Sequence, residues 1–136
     1  MINSMLCVDD DDIAQFYMSV IIDDSSFIEH TFSVYNGQKA LEYLDKIEET
    51  NNSSAVFPQL ILLDLNMPVM DGWEFLEAFS KKYPDRYQSS KVAIVSSTVD
   101  PSDFAKARNY PFVIEFITKP ISSEVLKSID NRHFTE

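Results

Sequence analysis

Two apolar patterns alternate along the chain. Short apolar runs, in places unbroken, lie at Met5 to Val8, Phe32 to Tyr35, Leu60 to Leu63, Val92 to Val95 and Val113 to Ile117. A continuous run such as Leu60-Ile61-Leu62-Leu63 marks a strand covered on both faces. Between these runs the apolar residues fall at helical spacing. Ile13, Phe16, Tyr17, Val20 and Ile21 make the first stripe, and that spacing predicts the buried face of an amphipathic helix. Ala40, Leu41, Leu44 and Ile47 make a second, and Trp73, Leu76 and Phe79 a third. Phe104 with Ala107, and Val125, Leu126 and Ile129, predict the buried sides of two more helices.

The breaks between runs carry turn chemistry. Asn36-Gly37, Pro68, Asp71-Gly72 and Lys119-Pro120 punctuate the pattern, and Pro101 sits where a helix tolerates it, in the first turn. Strand and helix therefore alternate five times. That order predicts an α/β fold with a doubly wound, five-stranded parallel sheet and helices on both faces. No internal repeat or dividing linker appears, so residues 1–136 read as one domain. The polar stretch Asn51-Asn52-Ser53-Ser54 reads as a loop with no assigned role.

Open parallel sheets place their sites beyond the carboxyl ends of the strands. Asp9 and Asp10, Asp64, Ser96 and Lys119 occupy those ends here. Taken singly, each has a bland explanation: an acidic run is usually a solvated loop, and Lys-Pro is usually a turn. Asp11 and Asp12 keep that explanation, as first-turn acids facing a helix dipole. Jointly, the set is a chemistry. Crowded carboxylates repel one another and call for a hard divalent cation such as Mg²⁺. A carboxylate can attack phosphorus to give an aspartyl phosphate. A lysine and a hydroxyl beside it would meet the phosphate oxygens.

Composition narrows the function classes. The net charge is −11, which argues against nucleic acid and anionic membrane as partners. The one cysteine, Cys7, lies in an apolar run and reads as a small buried hydrophobe. No apolar stretch approaches a membrane span and the amino terminus lacks a signal-peptide pattern, so a cytoplasmic protein is expected.

The chain resembles a response-regulator receiver domain from about Met5 to about Ile129. The resemblance is carried by Val8-Asp9-Asp10-Asp11, by Leu60 to Asp64 continuing through Leu65-Asn66-Met67-Pro68 to Asp71-Gly72, by Val95-Ser96-Ser97, and by Phe116-Ile117-Thr118-Lys119-Pro120. It implies a flavodoxin-like (βα)5 fold with strand order 2-1-3-4-5. It implies that Asp64 accepts a phosphoryl group from a histidine kinase or histidine phosphotransfer protein. Asp9, Asp10, Asp64 and the backbone carbonyl of Asn66 would hold Mg²⁺. Lys119 would pair with phosphate, Ser96 would bind it in the active state, and Phe116 would be the switch aromatic. Pro120 would follow a cis peptide bond. Asn66 and Thr98 sit where such domains tune acyl-phosphate lifetime, and Tyr110-Pro111 replaces a frequent Gly-Ala pair.

No output domain follows the last predicted helix, so a downstream target protein is expected to read the switch. Two other readings are weaker. An aspartate-nucleophile phosphohydrolase of the haloacid-dehalogenase type wants an acid where Asn66 stands. A pseudo-receiver adaptor would have lost one of the five strand-end residues, and all are present.

Overall fold

Five parallel strands form one sheet, in which the second strand of the chain lies at one edge and is followed by the first, third, fourth and fifth. The structure, a computed structural model, describes residues 1–50, 57–97 and 100–134. Thr98 and the polar stretch at 51–54 lie outside the described residues. The strands are β1 (Ile2–Val8), β2 (Ile28–Val34), β3 (Leu60–Leu63), β4 (Lys91–Ser96) and β5 (Val113–Thr118). The helices are α1 (Asp12–Asp23), α2 (Gly37–Thr50), α3 (Gly72–Lys82), α4 (Pro101–Ala107) and α5 (Ser123–His133). This is the doubly wound α/β fold that the alternating pattern predicts, in the flavodoxin-like strand order that the resemblance implies. Among the described residues no helix is long and apolar enough to cross a membrane.

Strand alternation divides the core into two halves. Leu6, Val8, Ile61, Leu63, Val92 and Ile94 face the side closed by α2 and α3. Met5, Cys7, Leu60, Leu62, Ala93 and Val95 face the side closed by α1 and α5. Both faces of β1, β3 and β4 are thus dry, which is why they read as unbroken apolar runs. The edge strand β2 is mostly exposed, and its sequence, IEHTFSV, is correspondingly mixed.

Helix α1 departs from the predicted face. Gln15, Met18 and Ile21 are buried, whereas Ile13 and Phe16 are 78% and 70% exposed and Tyr17 and Val20 also face outward. The helix is rotated because its start is fixed: Asp11 caps it, its side chain accepting the Ile13 N–H at 2.9 Å. A second stripe, Ala14, Gln15, Met18, Ile21 and Ile22, meets the sheet instead. Asp11 is therefore the cap rather than a first-turn acid. Helix α4 departs in part, since Ala107 is buried but Phe104 stays about a third exposed, its ring against Phe116.

Candidate functional site

The loop after β3 is built around close backbone approach. Asp71 caps α3 in a reciprocal box with Glu74, which anchors the helix start. Gly72 follows because nothing larger fits: a Cβ there would lie 2.6 Å from the Asp64 carbonyl oxygen and 2.8 Å from Leu65 Cα. The Gly72 N–H donates to the Leu65 carbonyl at 2.9 Å. The Asp-Gly pair thus packs the first turn of α3 directly on the backbone that presents Asp64.

Asp64 emerges from β3 with its N–H on the Val8 carbonyl at 2.9 Å, and the residue is 6% exposed. Asp9 leaves β1 alongside it. The Asp9 N–H donates to Val34 at 3.2 Å, and its carboxylate accepts the Asp11 N–H at 3.0 Å. Lys119 follows β5, its N–H donating to the Ser96 carbonyl at 2.8 Å, and the Lys119–Pro120 bond is cis. Its ammonium lies 2.7 Å from Asp9 Oδ2 and 3.6 Å from Asp64 Oδ1.

Carboxylate oxygens of Asp9, Asp10 and Asp64 all fall within 4.8 Å of one another. Three carboxylates against one ammonium leave a net charge of about −2 in a half-closed pocket, and the strain shows in Asp64. Burial, followed by the charge of Asp9 and then Asp10, lifts its carboxyl to about 6, against the opposing pull of Lys119 and the Asn66 backbone N–H. Burial alone would lower the Lys119 ammonium. The hydrogen bond to Asp9 and the charges of Asp64, Asp9 and Asp11 instead raise it above its ordinary value. A divalent cation with oxygen ligands matches this donor set in charge and in hardness.

Ser96 and Phe116 complete the set on β4 and β5. Ser96 is fully buried at the end of β4. Phe116 is half-buried on β5, paired with Ile94, its ring centroid 4.4 Å from that of Phe104. The Asn66 side chain is exposed, and its backbone N–H reaches Asp64. Cys7 is buried, and desolvation, followed by the charge of Asp9, pushes its thiol up to about 12, which removes it as a nucleophile. Tyr110 reaches α3, its hydroxyl donating to Glu77 at 3.0 Å and its ring stacking on Trp73.

Gln15 was not singled out by the apolar pattern. Its amide lies under the site, Nε2 being 3.0 Å from the Asp9 carbonyl, 3.0 Å from Val34 and 3.4 Å from Cys7. The signal that could have found it is the second stripe on α1, in which a lone polar residue points at the strand ends. Beside it, a cavity of about 320 Å³ runs from the carboxylates along α1, walled by Tyr17, Met18, Leu62, Val95 and Ile121.

The family model for the response regulator receiver domain matches residues 5–129. A two component response regulator from Cytophaga hutchinsonii superposes with a TM-score of 0.88 at 32% identity, covering 99% of this chain and 98% of that one. The Vibrio cholerae chemotaxis protein CheY4 shares the fold, with a TM-score of 0.77 at 21% identity over 98% of this chain and 100% of that one. A protein-glutamate methylesterase/protein-glutamine glutaminase of Geobacter metallireducens is 31% identical over 107 residues, 74% of this chain but 28% of that protein. The chain thus spans less than a third of that methylesterase relative.

Proposed function

Because the chain belongs to the response regulator receiver family, we propose that it is a phosphoacceptor switch in two-component signalling, charged at Asp64 by a phosphohistidine donor. The observation that carries this reading is the pocket of three carboxylates and one ammonium at the carboxyl end of the sheet. Asp9, Asp10, Asp64 and the Asn66 backbone carbonyl would hold Mg²⁺, which when bound supplies charge neutralisation to the phosphate oxygens.

In the transfer, a carboxylate oxygen of Asp64 attacks phosphorus, the P–N bond of the donor histidine breaks, and the leaving imidazole nitrogen keeps the electron pair and takes a proton from water. Asp64 must be ionised to attack, and Lys119 opposes the burial that favours its protonated form. Lys119 then holds a phosphate oxygen, releasing part of its pairing with Asp9. The phosphoryl group draws the Ser96 hydroxyl toward it. Phe116 turns into the space vacated, and its contact with Phe104 on α4 carries the change to the face formed by α4, β5 and α5. That is a bistable packing element biased by a new local charge.

The donor, a histidine kinase or histidine phosphotransfer protein, would lie along α1, where Ile13, Phe16, Tyr17 and Val20 offer an apolar row beside the acceptor. A downstream target protein would read the α4-β5-α5 face. The test is intact mass after incubation with acetyl phosphate. One phosphoryl group should be gained by the wild type with Mg²⁺, and none by Asp64→Asn or by the wild type in EDTA. A wild type that binds Mg²⁺ but is labelled neither by acetyl phosphate nor by any kinase would instead be an adaptor that works without phosphorylation.

A further inference from the structure

We propose that Gln15 is a positioning residue for the acidic pocket, its side-chain amide fixing the backbone of Asp9 and so the aim of the Asp9 carboxylate at the cation. The proposal rests on the reading of Asp9, Asp10 and Asp64 as the Mg²⁺ site. It starts from the rotation of α1, which buries a glutamine and exposes Ile13 and Phe16. Burying an amide is costly unless its polar atoms are bonded. Here the donor nitrogen is bonded to the ends of two strands at once. Its two N–H groups serve Asp9 and Val34, both at 3.0 Å, with Cys7 sharing at 3.4 Å.

Asp9 is consequently held at three points. Its N–H is on Val34 at 3.2 Å, its carbonyl accepts from Gln15, and its Oδ1 accepts the Asp11 N–H. Oδ2 remains for Lys119 or a cation. The chemistry of the side chain matters as much as its reach. A neutral donor satisfies the carbonyls without adding positive charge that would compete with a divalent ion. An apolar residue would leave the Asp9 carbonyl without this donor, and an acid would repel it.

The test is calorimetric Mg²⁺ titration of the wild type, Gln15→Met and Met18→Ala, each with a melting temperature in EDTA. Met18 lies one turn along the same buried face, so its truncation loosens α1 without touching the carbonyls. Gln15→Met should weaken Mg²⁺ binding by about tenfold, the scale of a lost hydrogen bond. Met18→Ala should leave the affinity within about twofold while lowering the melting temperature at least as much. Labelling by acetyl phosphate in Gln15→Met should return to the wild-type rate at saturating Mg²⁺. Unchanged affinity in Gln15→Met, or equal weakening in Met18→Ala, would overturn the proposal. If Gln15→Met does not fold, Gln15→Asn, whose amide is one methylene short, must show weakened binding or the proposal fails. Wild-type protein that takes up no Mg²⁺ at millimolar concentration would overturn the metal reading itself, and the proposal with it.

Discussion

Asp64→Asn should stabilise the metal-free protein at neutral and higher pH. Asp64 is buried beside two other acids, and its carboxyl is raised from 3.8 to about 6. The folded state therefore prefers the protonated acid. Below about pH 4 both folded and unfolded states are protonated and there is no penalty. Between about pH 4 and 6 the unfolded chain ionises first, and stability falls as pH rises. Above pH 6 the full penalty is present. At full strength this is about 3 kcal/mol, and water at the pocket mouth reduces it to about 1–2 kcal/mol. An asparagine of the same shape removes the charge. Thermal melts in EDTA at pH 8 should place the variant about 4–8 °C above the wild type. At pH 5 about half of that advantage should remain. Added Mg²⁺ should narrow the gap by stabilising the wild type, by about 1.4 kcal/mol at ten times the dissociation constant. A variant no more stable than the wild type at pH 8 in EDTA, or an advantage of equal size at pH 5 and pH 8, would show that ionised Asp64 does not destabilise the fold.

Three further outcomes are expected. Gly72→Ala forces a Cβ to 2.6 Å from the Asp64 carbonyl and should cost about 1–3 kcal/mol in urea unfolding; a cost under about 0.5 kcal/mol would mean that α3 shifts freely. Lys119→Met removes a cation 2.7 Å from Asp9, so Mg²⁺ should bind more tightly in calorimetry while acetyl-phosphate labelling falls by about a hundredfold; weaker Mg²⁺ binding would show that Lys119 organises the ligands instead of competing with the cation. Phe16→Ala, at an exposed position on α1, should leave melting and acetyl-phosphate labelling unchanged while slowing transfer from a cognate kinase, and an unchanged kinase rate would move the donor off α1.

The sheet was legible because β1, β3 and β4 are dry on both faces, and a doubly covered strand announces itself as an unbroken apolar run. β2 was caught only at its end, over Phe32 to Tyr35, because an exposed edge strand carries His30, Thr31 and Ser33 without penalty. Asp9, Asp10, Asp64 and Lys119 were legible because parallel strands put their carboxyl ends together, whatever the loops do. The buried face of α1 differs from its apolar stripe for an equally physical reason. Apolar periodicity assumes that the apolar stripe is the one that packs, but the cap at Asp11 and the carbonyl partners of Gln15 set the rotation. Phe104 was expected inside and lies at the rim because α4 is short and offers little beyond Ala107 to hold it down. Gln15 is neither charged nor a metal ligand, and it donates to backbone carbonyls that no sequence pattern displays.

In this reading the side chain of Asp64 carries the phosphoryl group. Borohydride reduction of the freshly phosphorylated protein, followed by peptide sequencing in the mass spectrometer, tests it most directly, because hydride converts an acyl phosphate into an alcohol and leaves free carboxylates untouched. Homoserine in place of Asp64, absent when Mg²⁺ or acetyl phosphate is omitted, is the result predicted. Homoserine in place of Asp9 or Asp10, or a retained phosphate on a hydroxyl or histidine with Asp64 intact, would contradict it.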